Sequence, residues 1–302
     1  MKPLASRGTG VQGQGGAARR AEALAGRLPP LLVAAERVAA TVAQGVHGRR
    51  RVGQGESFWQ FRPFVAGDAL NRVDWRQSAK SDRSFIRETE WEAAQTVCLW
   101  RDRTASMRWR SRASAVEKCE RAELLLLALA ALLLRGGERV RLITASSSNA
   151  AGITAGHTAL DRLVEALARD VGETALPPET ALPRHARVVL FGDFLSPLPG
   201  IRAAIARLSA VPLTGHLVQV LDPAEALLPY SGRIRFEGVA REIETLVPRV
   251  EGVREEYARR LAAQQQGLAE LCGAAGFGFS IHRTDQPPET ALLALYSALS
   301  QR

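Results

Sequence analysis

The sequence predicts an α/β fold with a mostly parallel sheet that is flanked by helices. Short apolar runs of strand length alternate with longer helical patterns over most of the chain, and polar residues follow two of these runs. This alternation is typical of parallel strands joined by helical crossovers. With 46% hydrophobic residues, the 302-residue chain can bury a substantial core, enough for one large domain or for a domain with an appendage.

The first strand and the first long helix are predicted at residues 95–101 and 115–134. The helix contains the longest uninterrupted apolar run of the sequence, residues 124–134. As a helix this run would extend only about 16 Å, whereas the hydrocarbon core of a bilayer is about 30 Å thick. We therefore expect a buried core helix and no membrane span.

The remaining elements continue the alternation. Further strands are predicted at residues 139–144, 186–191, 216–221 and 277–282. Helical patterns are predicted at residues 160–168, 201–209 and 253–272. The segment 232–238 is more typical of a small antiparallel hairpin than of a crossover, so an inserted hairpin is expected there.

The loop after the first strand contains the pattern Asp102-x-Thr104-x-Ser106. A loop between a strand and the next helix lies at the carboxyl end of the sheet, where open α/β folds place their ligands. One carboxylate and two hydroxyls are hard oxygen ligands of the kind that Mg²⁺ or Mn²⁺ accepts. The pattern indicates a metal site, and the alternative is a turn in which Thr104 or Ser106 only caps a helix.

Basic residues are concentrated near the amino terminus. Residues 1–90 hold fifteen Lys and Arg against eight Asp and Glu, so +7 of the net charge of +9 lies in this part. Residues 1–28 are typical of a disordered basic tail, and residues 29–92 of a separate module that begins with a helix. The asymmetry indicates an acidic partner, whether protein, nucleic acid or lipid, and compositional bias explains it equally well.

The expected location of the protein is the cytoplasm. The amino-terminal tail lacks the apolar core of a secretory signal. Cys98, Cys119 and Cys272 are odd in number and widely spaced, which argues against a disulfide framework. Each lies in a predicted strand or helix, and a packing role is therefore expected for all of them.

Aromatic and basic residues are interleaved between residues 57 and 91. Such mixtures are typical of proteins that bind single-stranded nucleic acid, through base stacking and phosphate pairing. The segment also carries its own carboxylates, including Asp68 and Asp74, which would neutralise a nucleic-acid surface. Internal arginine–carboxylate pairs are the favoured interpretation.

Several motifs in this part of the chain resemble the signature of a bacterial family, the "domain of unknown function 58". They are Gly53 with residues 61–68 (FRPFVAGD), residues 72–75 (RVDW), residues 78–80 (SAK) and the Asp102–Met107 loop. The motifs follow one another in the expected order, and a weaker likeness extends to the end of the chain.

The resemblance implies a Rossmann-like, von Willebrand factor A-like domain at residues 93–302. It also implies a metal-ion-dependent adhesion site that binds Mg²⁺ or Mn²⁺ at the carboxyl edge of the sheet. The implied site residues are Asp102, Thr104, Ser106, Thr158 and Asp193.

Three of the residues around this site raise separate questions. Thr158 is alternatively a helix cap. Arg101 and Arg103 depart from the family pattern. Their guanidinium groups would compete with a dication by pairing with Asp102 or Asp193, which would weaken or abolish metal binding.

The leading hypothesis is a non-enzymatic interaction protein whose site accepts a carboxylate from a partner. Proteins that resemble this one commonly accompany MoxR-type AAA+ ATPases, so an adaptor or chaperone role is implied. A nucleic-acid-binding module that uses residues 49–51 and the aromatic segment is the first alternative. The second is a metal-dependent hydrolase with Asp102 and Asp193 around one ion and His157 or Asp68 as base. No Walker, His-Glu-x-x-His or Gly-x-Ser-x-Gly motif supports the hydrolase.

Overall fold

The computed structural model describes residues 32–43, 57–65, 73–80, 83–90, 94–144, 158–170, 172–238 and 244–300. The chain divides into two compact units, a smaller one of residues 46–94 and a larger one that contains the rest. The predicted tail, residues 49–51, Asp68 and His157 lie outside the described residues.

The helix α1, residues 32–43, belongs to the larger unit. Its buried side chains are Ala35, Val38, Ala39 and Val42, which recur at the spacing of one helical face. The sequence predicted this helix but grouped it with the amino-terminal module. The structure instead groups the helix with the α/β unit and begins the smaller unit at residue 46.

The smaller unit contains an antiparallel hairpin and one turn of helix: β1 (Ser57–Pro63), α2 (Trp75–Ser78) and β2 (Phe85–Glu90). The carboxylate of Asp74 caps α2 by accepting a hydrogen bond from the N–H of Gln77 at 2.9 Å. The hydroxyl of Ser78 accepts one from the N–H of Phe85 at 2.8 Å, which fixes α2 to the start of β2. One carboxylate that was expected to pair with an arginine is therefore a helix cap.

Five parallel strands form the sheet of the larger unit: β3 (Thr96–Arg101), β4 (Arg139–Leu142), β5 (Arg187–Gly192), β6 (Thr214–Leu221) and β9 (Phe277–Arg283). Their order is β4-β3-β5-β6-β9. The chain leaves β3 towards one edge of the sheet and leaves β5 towards the other. The gap between the carboxyl ends of β3 and β5 is therefore the switch point at which open α/β sheets bind ligands.

Helices cover both faces of this sheet: α3 (Lys118–Arg135), α4 (Ala159–Arg169), α5 (Leu198–Leu208), α6 (Pro223–Leu227), α7 (Glu251–Ala274) and α8 (Pro288–Ser300). Side chains of α5 and α7 share a buried cluster with Cys98 and Trp100 of β3. The next residue in β3, Arg101, bonds to α3 and to the end of α4, because neighbouring residues of a strand point to opposite faces. The α/β class and the mostly parallel sheet are confirmed.

The apolar run at residues 124–134 forms the centre of α3. Its side chains from Leu125 to Leu133 are buried, as predicted for a core helix. None of the described helices is both long and apolar enough to cross a bilayer. Cys98 and Cys272 belong to the buried core, and burial raises the pKa of each thiol to about 11, which agrees with the predicted packing role.

The predicted inserted hairpin is also present. It consists of β7 (Ile234–Glu237) and β8 (Glu244–Val247), which pair antiparallel between α6 and α7. The sequence did not predict α6 or α8. Both follow the carboxyl end of a strand, and α6 is only five residues long, too short to show a helical period.

Candidate functional site

Asp102 and Asp193 follow β3 and β5 directly and meet at the switch point. The N–H of Asp102 donates to the carbonyl of Phe191 at 2.8 Å, which continues the ladder between the two strands. Gly192 allows the close approach, because a Cβ added there would lie 3.1 Å from the Cβ of Asp102. Both carboxylates are buried, at 1% and 4% exposure.

A chain of hydrogen bonds connects the two carboxylates. Oδ1 of Asp102 accepts from both the N–H and the hydroxyl of Thr104, each at 2.7 Å. The hydroxyl of Ser106 donates to Oδ2 of Asp193 at 2.7 Å. The hydroxyl oxygens of Thr104 and Ser106 lie 2.9 Å apart. The structure thus brings together Asp102, Thr104, Ser106 and Asp193, as the sequence predicted.

This chain is one proton short. Each hydroxyl carries one proton, and those of Thr104 and Ser106 are directed to Asp102 and Asp193. The two hydroxyl oxygens lie within hydrogen-bond distance of each other, 2.9 Å, and either could donate. Two hydroxyl protons thus serve three contacts, and a protonated carboxylate or a bound cation would compensate for the missing proton.

The donor set fits a dication. Neighbouring ligands of an octahedral Mg²⁺ lie about 3 Å apart, which the spacing of the hydroxyl oxygens matches. Thr104 and Ser106 are half-buried and would hold the ion, while Asp102 and Asp193 orient them. In the described part of the chain, no group of three His, Cys, Asp or Glu side chains is placed to bind a metal, so an ion here depends on hydroxyl ligands.

Burial changes the protonation of the cluster. It raises the pKa of Asp102 to about 6, against the hydrogen bonds from Thr104 and the charge of Lys118, which lower it. The neighbouring charge of Asp193 raises the pKa further. Burial likewise raises the pKa of Glu225, which Lys118 opposes. Asp102 and Glu225 therefore ionise less readily than exposed carboxylates do.

The structure adds residues that the sequence did not indicate. The ammonium group of Lys118 donates to Oδ2 of Asp193 at 3.1 Å and to Oε1 of Glu225 at 2.5 Å. Oε2 of Glu225 accepts from the N–H of Asp222, while Asp222 accepts from the N–H groups of Ser111 and Ala224. The pattern Asp222-Pro-Ala-Glu225 is a capping-box sequence and could have predicted the start of α6. Nothing in the sequence places Lys118.

Thr158 does not join the cluster. It precedes α4, is exposed and makes no capping hydrogen bond with its side chain. Among the hydrogen bonds of the described residues, none connects the Thr158 hydroxyl to Asp102, Thr104 or Ser106. The predicted contribution of Thr158 to the site is therefore absent from this arrangement, and so is the alternative capping role.

The predicted competition by Arg101 is wrong. Its guanidinium group bonds to Glu123 and Asp170, each at 2.8 Å, and to the carbonyl of Leu167 at 3.1 Å. Arg101 points to the face opposite Asp102, because the two are neighbours at the end of a strand. Arg103 forms no ion pair with Asp102 or Asp193 either, and one of its terminal nitrogens is buried without a hydrogen-bond partner.

The chain is a Rossmann-like α/β protein with a cluster of polar side chains at the switch point of its sheet. The chain belongs to the family described as "Protein of unknown function DUF58", whose model matches residues 60–267. It is similar to an uncharacterized protein of Mycobacterium bovis, with 26% identity over 268 residues, which covers 81% of this chain and 80% of that protein. Uncharacterized proteins from two Mycobacterium tuberculosis strains give the same values.

Two solved structures also resemble parts of the chain. One is an aerotolerance-related membrane protein from Bacteroides fragilis, with a TM-score of 0.38, 17% identity and coverage of 68% of this chain and 98% of that one. The other is the conserved hypothetical protein BatB from Bacteroides thetaiotaomicron, with a TM-score of 0.35, 14% identity and coverage of 69% and 100%. The family assignment depends on the sequence match.

Proposed function

We propose that the protein is a non-enzymatic interaction module that binds a divalent cation and presents it to a carboxylate of a protein partner. The observation that carries the proposal is the chain from Asp102 to Asp193, in which the two hydroxyl protons of Thr104 and Ser106 serve three short contacts. A cation bound to the hydroxyl oxygens would supply positive charge in place of the missing proton. It also leaves coordination positions open on the accessible side of the half-buried hydroxyls.

The charge of the cluster supports a dication. Asp102, Asp193 and Glu225 contribute three negative charges when ionised, and Lys118 contributes one positive charge. Asp222, which is buried beside Glu225, adds a further carboxylate, so one Mg²⁺ or Mn²⁺ would offset part of the excess negative charge. Burying such an excess without compensation is unfavourable.

Features around the cluster favour binding over catalysis. The three described histidines lie elsewhere: the ring of His216 bonds to Ser280 and that of His282 to Arg121, while His185 precedes β5, at the opposite end of that strand from Asp193. No described histidine or cysteine is therefore placed to act as a base on Ser106. The hydrolase alternative relies on His157 or Asp68, which lie outside the described residues.

The surface beside the cluster suits a protein partner. Leu195 and Leu227 lie two residues beyond Asp193 and Glu225, and they are 41% and 55% exposed. Phe194 and Leu228 have positive φ angles of 48° and 43°. Such backbone strain in non-glycine residues is concentrated at functional sites.

The cation is tested by thermal unfolding with and without Mn²⁺, at concentrations well above the expected dissociation constant. The wild type should gain about 2.7 kcal/mol at 100 times the dissociation constant. The double variant Thr104→Val/Ser106→Ala should gain nothing, since it lacks both hydroxyl ligands. Thr158→Val, outside the cluster, should respond as the wild type does. An unchanged wild-type melting temperature over the whole Mn²⁺ series would refute the cation.

The partner is tested by co-purification. A MoxR-type AAA+ ATPase, which the family resemblance implies, is the first candidate and should be retained in the presence of Mg²⁺ and a slowly hydrolysed nucleotide. Leu195→Glu/Leu227→Glu should lose it, and Leu293→Glu, an equally exposed position on α8, should retain it. Failure of the wild type to retain the ATPase would rule out this partner. Equal retention by both variants would rule out the surface around Leu195 and Leu227 as its binding site.

A nucleic-acid function is the second candidate, and one observation favours it. Trp75 is 66% exposed on the smaller unit, and Arg76 and Lys80 beside it are also exposed. An exposed tryptophan next to cations suits base stacking and phosphate pairing. A mobility shift of single-stranded DNA at low salt should weaken in Trp75→Ala and as salt rises. No shift at low salt would eliminate this candidate.

A further inference from the structure

The side chain of Lys118 is a fully buried cation inside the candidate metal site. Its exposure is 0%, and lysines are almost never buried to this extent unless they are paired. It is also the first residue of α3, where the helix dipole disfavours a positive charge. The position is therefore maintained by specific contacts, which are the bonds to Asp193 and Glu225.

Those contacts place the ammonium group next to the oxygen that orients a metal ligand. Oδ2 of Asp193 accepts both from Lys118 at 3.1 Å and from the hydroxyl of Ser106 at 2.7 Å. The remaining oxygen, Oδ1, accepts from the N–H of Leu195 at 3.3 Å. Ser106 and the ammonium group therefore share one carboxylate oxygen, and an ion bound to Ser106 would lie within a few ångströms of a positive charge.

The field of Lys118 extends across the site. Burial raises the pKa of Asp102, at the far end of the hydrogen-bond chain, and the charge of Lys118 is the smallest of the effects that oppose this. Ser106 bonds to the same oxygen of Asp193 as Lys118 does, and the hydroxyl of Thr104 is the next group in the chain. A cation held by these hydroxyls would be repelled by the ammonium group, because both carry positive charge in a buried environment.

From this geometry we infer that Lys118 is a built-in competitor of the dication, which lowers the affinity of the site for Mg²⁺ or Mn²⁺. The inference depends on the proposed cation site, and it adds that a residue of the protein regulates the occupancy of that site. Glu225 is the counter-charge that maintains the competitor in place, because its carboxylate bonds to the ammonium group and to the backbone of Asp222. Because the affinity of the site for the ion is lowered, the ion is retained best when a partner supplies a further carboxylate ligand. The ion and the partner therefore bind together.

The test is a Mn²⁺ titration followed by electron paramagnetic resonance, on the full chain. Lys118→Met removes the charge and keeps most of the side-chain volume, and Lys118→Gln keeps a donor towards Asp193 and Glu225 in case the first variant fails to fold. Either folded variant should bind Mn²⁺ at least about tenfold more tightly than the wild type. Arg260→Met, which removes an exposed charge on α7, should leave the affinity unchanged.

The outcomes separate the inference from the proposed function. Measurable binding of Mn²⁺ by the wild type, with tighter binding in a folded Lys118 variant, supports the inference. Equal or weaker binding in a folded Lys118 variant, with a wild type that binds Mn²⁺, overturns the inference and leaves the cation site intact. No binding in any folded variant overturns both.

Discussion

The ammonium group of Lys118 lies 3.1 Å from Oδ2 of Asp193, and it connects the first turn of α3 to the loop after β5. A second bond from the same group to Glu225 adds the helix α6. Asp193 also belongs to the chain that includes Ser106, Thr104 and Asp102. Stability and the proposed ion binding therefore depend on one connected group of side chains.

Removing Lys118 should destabilise the fold when no dication is present. In EDTA, Lys118→Met should lower the free energy of unfolding by about 3 kcal/mol, because it leaves the buried Asp193 and the partly buried Glu225 without their counter-charge. The double variant Lys118→Met/Glu225→Gln should lose less free energy of unfolding than the two single variants together, since one of those negative charges is then absent. Urea unfolding measures both values. A loss as small as that of Arg260→Met would contradict the expectation.

Arg101 should be as important for stability as Lys118. It is 2% exposed and neutralises Glu123 and Asp170, so Arg101→Met should cost about 3–5 kcal/mol. Arg101→Lys should restore only part of this, because one ammonium group cannot reproduce the planar fork of donors. Arg169→Met, which breaks an exposed pair with Glu165, should change the free energy of unfolding by less than about 1 kcal/mol. Similar losses in Arg101→Met and Arg169→Met would contradict this ranking.

The stability of the protein should depend on pH through His282. Burial and the charge of Arg121 lower its pKa to about 4, against the opposing charge of Asp285. Between pH 6.5 and pH 4 the unfolded chain binds a proton that the folded protein does not. Stability from this residue is therefore complete above pH 6.5 and is lost as the pH falls, by up to about 3 kcal/mol.

The variant His282→Gln isolates this effect, because other groups titrate in the same range. Asp102, with its raised pKa, contributes with the opposite sign and is present in both proteins. The difference in free energy of unfolding between wild type and variant should shrink as the pH falls from 7 to 4. A difference that is constant over this range would show that His282 titrates normally in the fold.

Two glycines should respond oppositely to the same substitution. A Cβ at Gly215 in β6 would lie 2.3 Å from the ring of Phe277, which is buried, so Gly215→Ala should destabilise by about 1–3 kcal/mol. Gly273 lies in α7 with no atom within 4 Å of an added Cβ. Gly273→Ala should therefore stabilise by about 0.5–1 kcal/mol. Chemical denaturation of both variants checks the signs, and two changes of the same sign would contradict the geometry.

Most of the larger unit could be predicted because its periodicity is strong. The strand predicted at residues 95–101 is Thr96–Arg101, and the helix predicted at 253–272 is Glu251–Ala274. The helix predicted at 115–134 begins only at Lys118, since Glu117 is its N-cap and Glu120 completes the cap by accepting from the N–H of Glu117. The residue at which a helix or strand begins or ends depends on such side-chain contacts. The periodicity of apolar residues does not predict them.

The site was predictable only where it follows the strands. Asp102 and Asp193 lie directly after β3 and β5, so adjacency in the sheet brings them together. Lys118 reaches the same place across a loop of irregular structure, and its partner Glu225 follows a third strand. For Arg101 the sequence led to a wrong prediction. The residue is next to Asp102 in the chain, which suggested a contact, but neighbouring side chains of a strand point to opposite faces of the sheet.

The bonds from Asp102 to Glu225 fasten the ends of three adjacent strands, β3, β5 and β6, through side chains. The short helix α6 is bound to this assembly at its first turn, where Glu225 meets Lys118. The loops after the three strands are consequently connected to one another through side chains as well as through the sheet. A partner that displaced α6 on binding would therefore also displace Ser106 and Asp102, which lie at the other end of this chain of contacts.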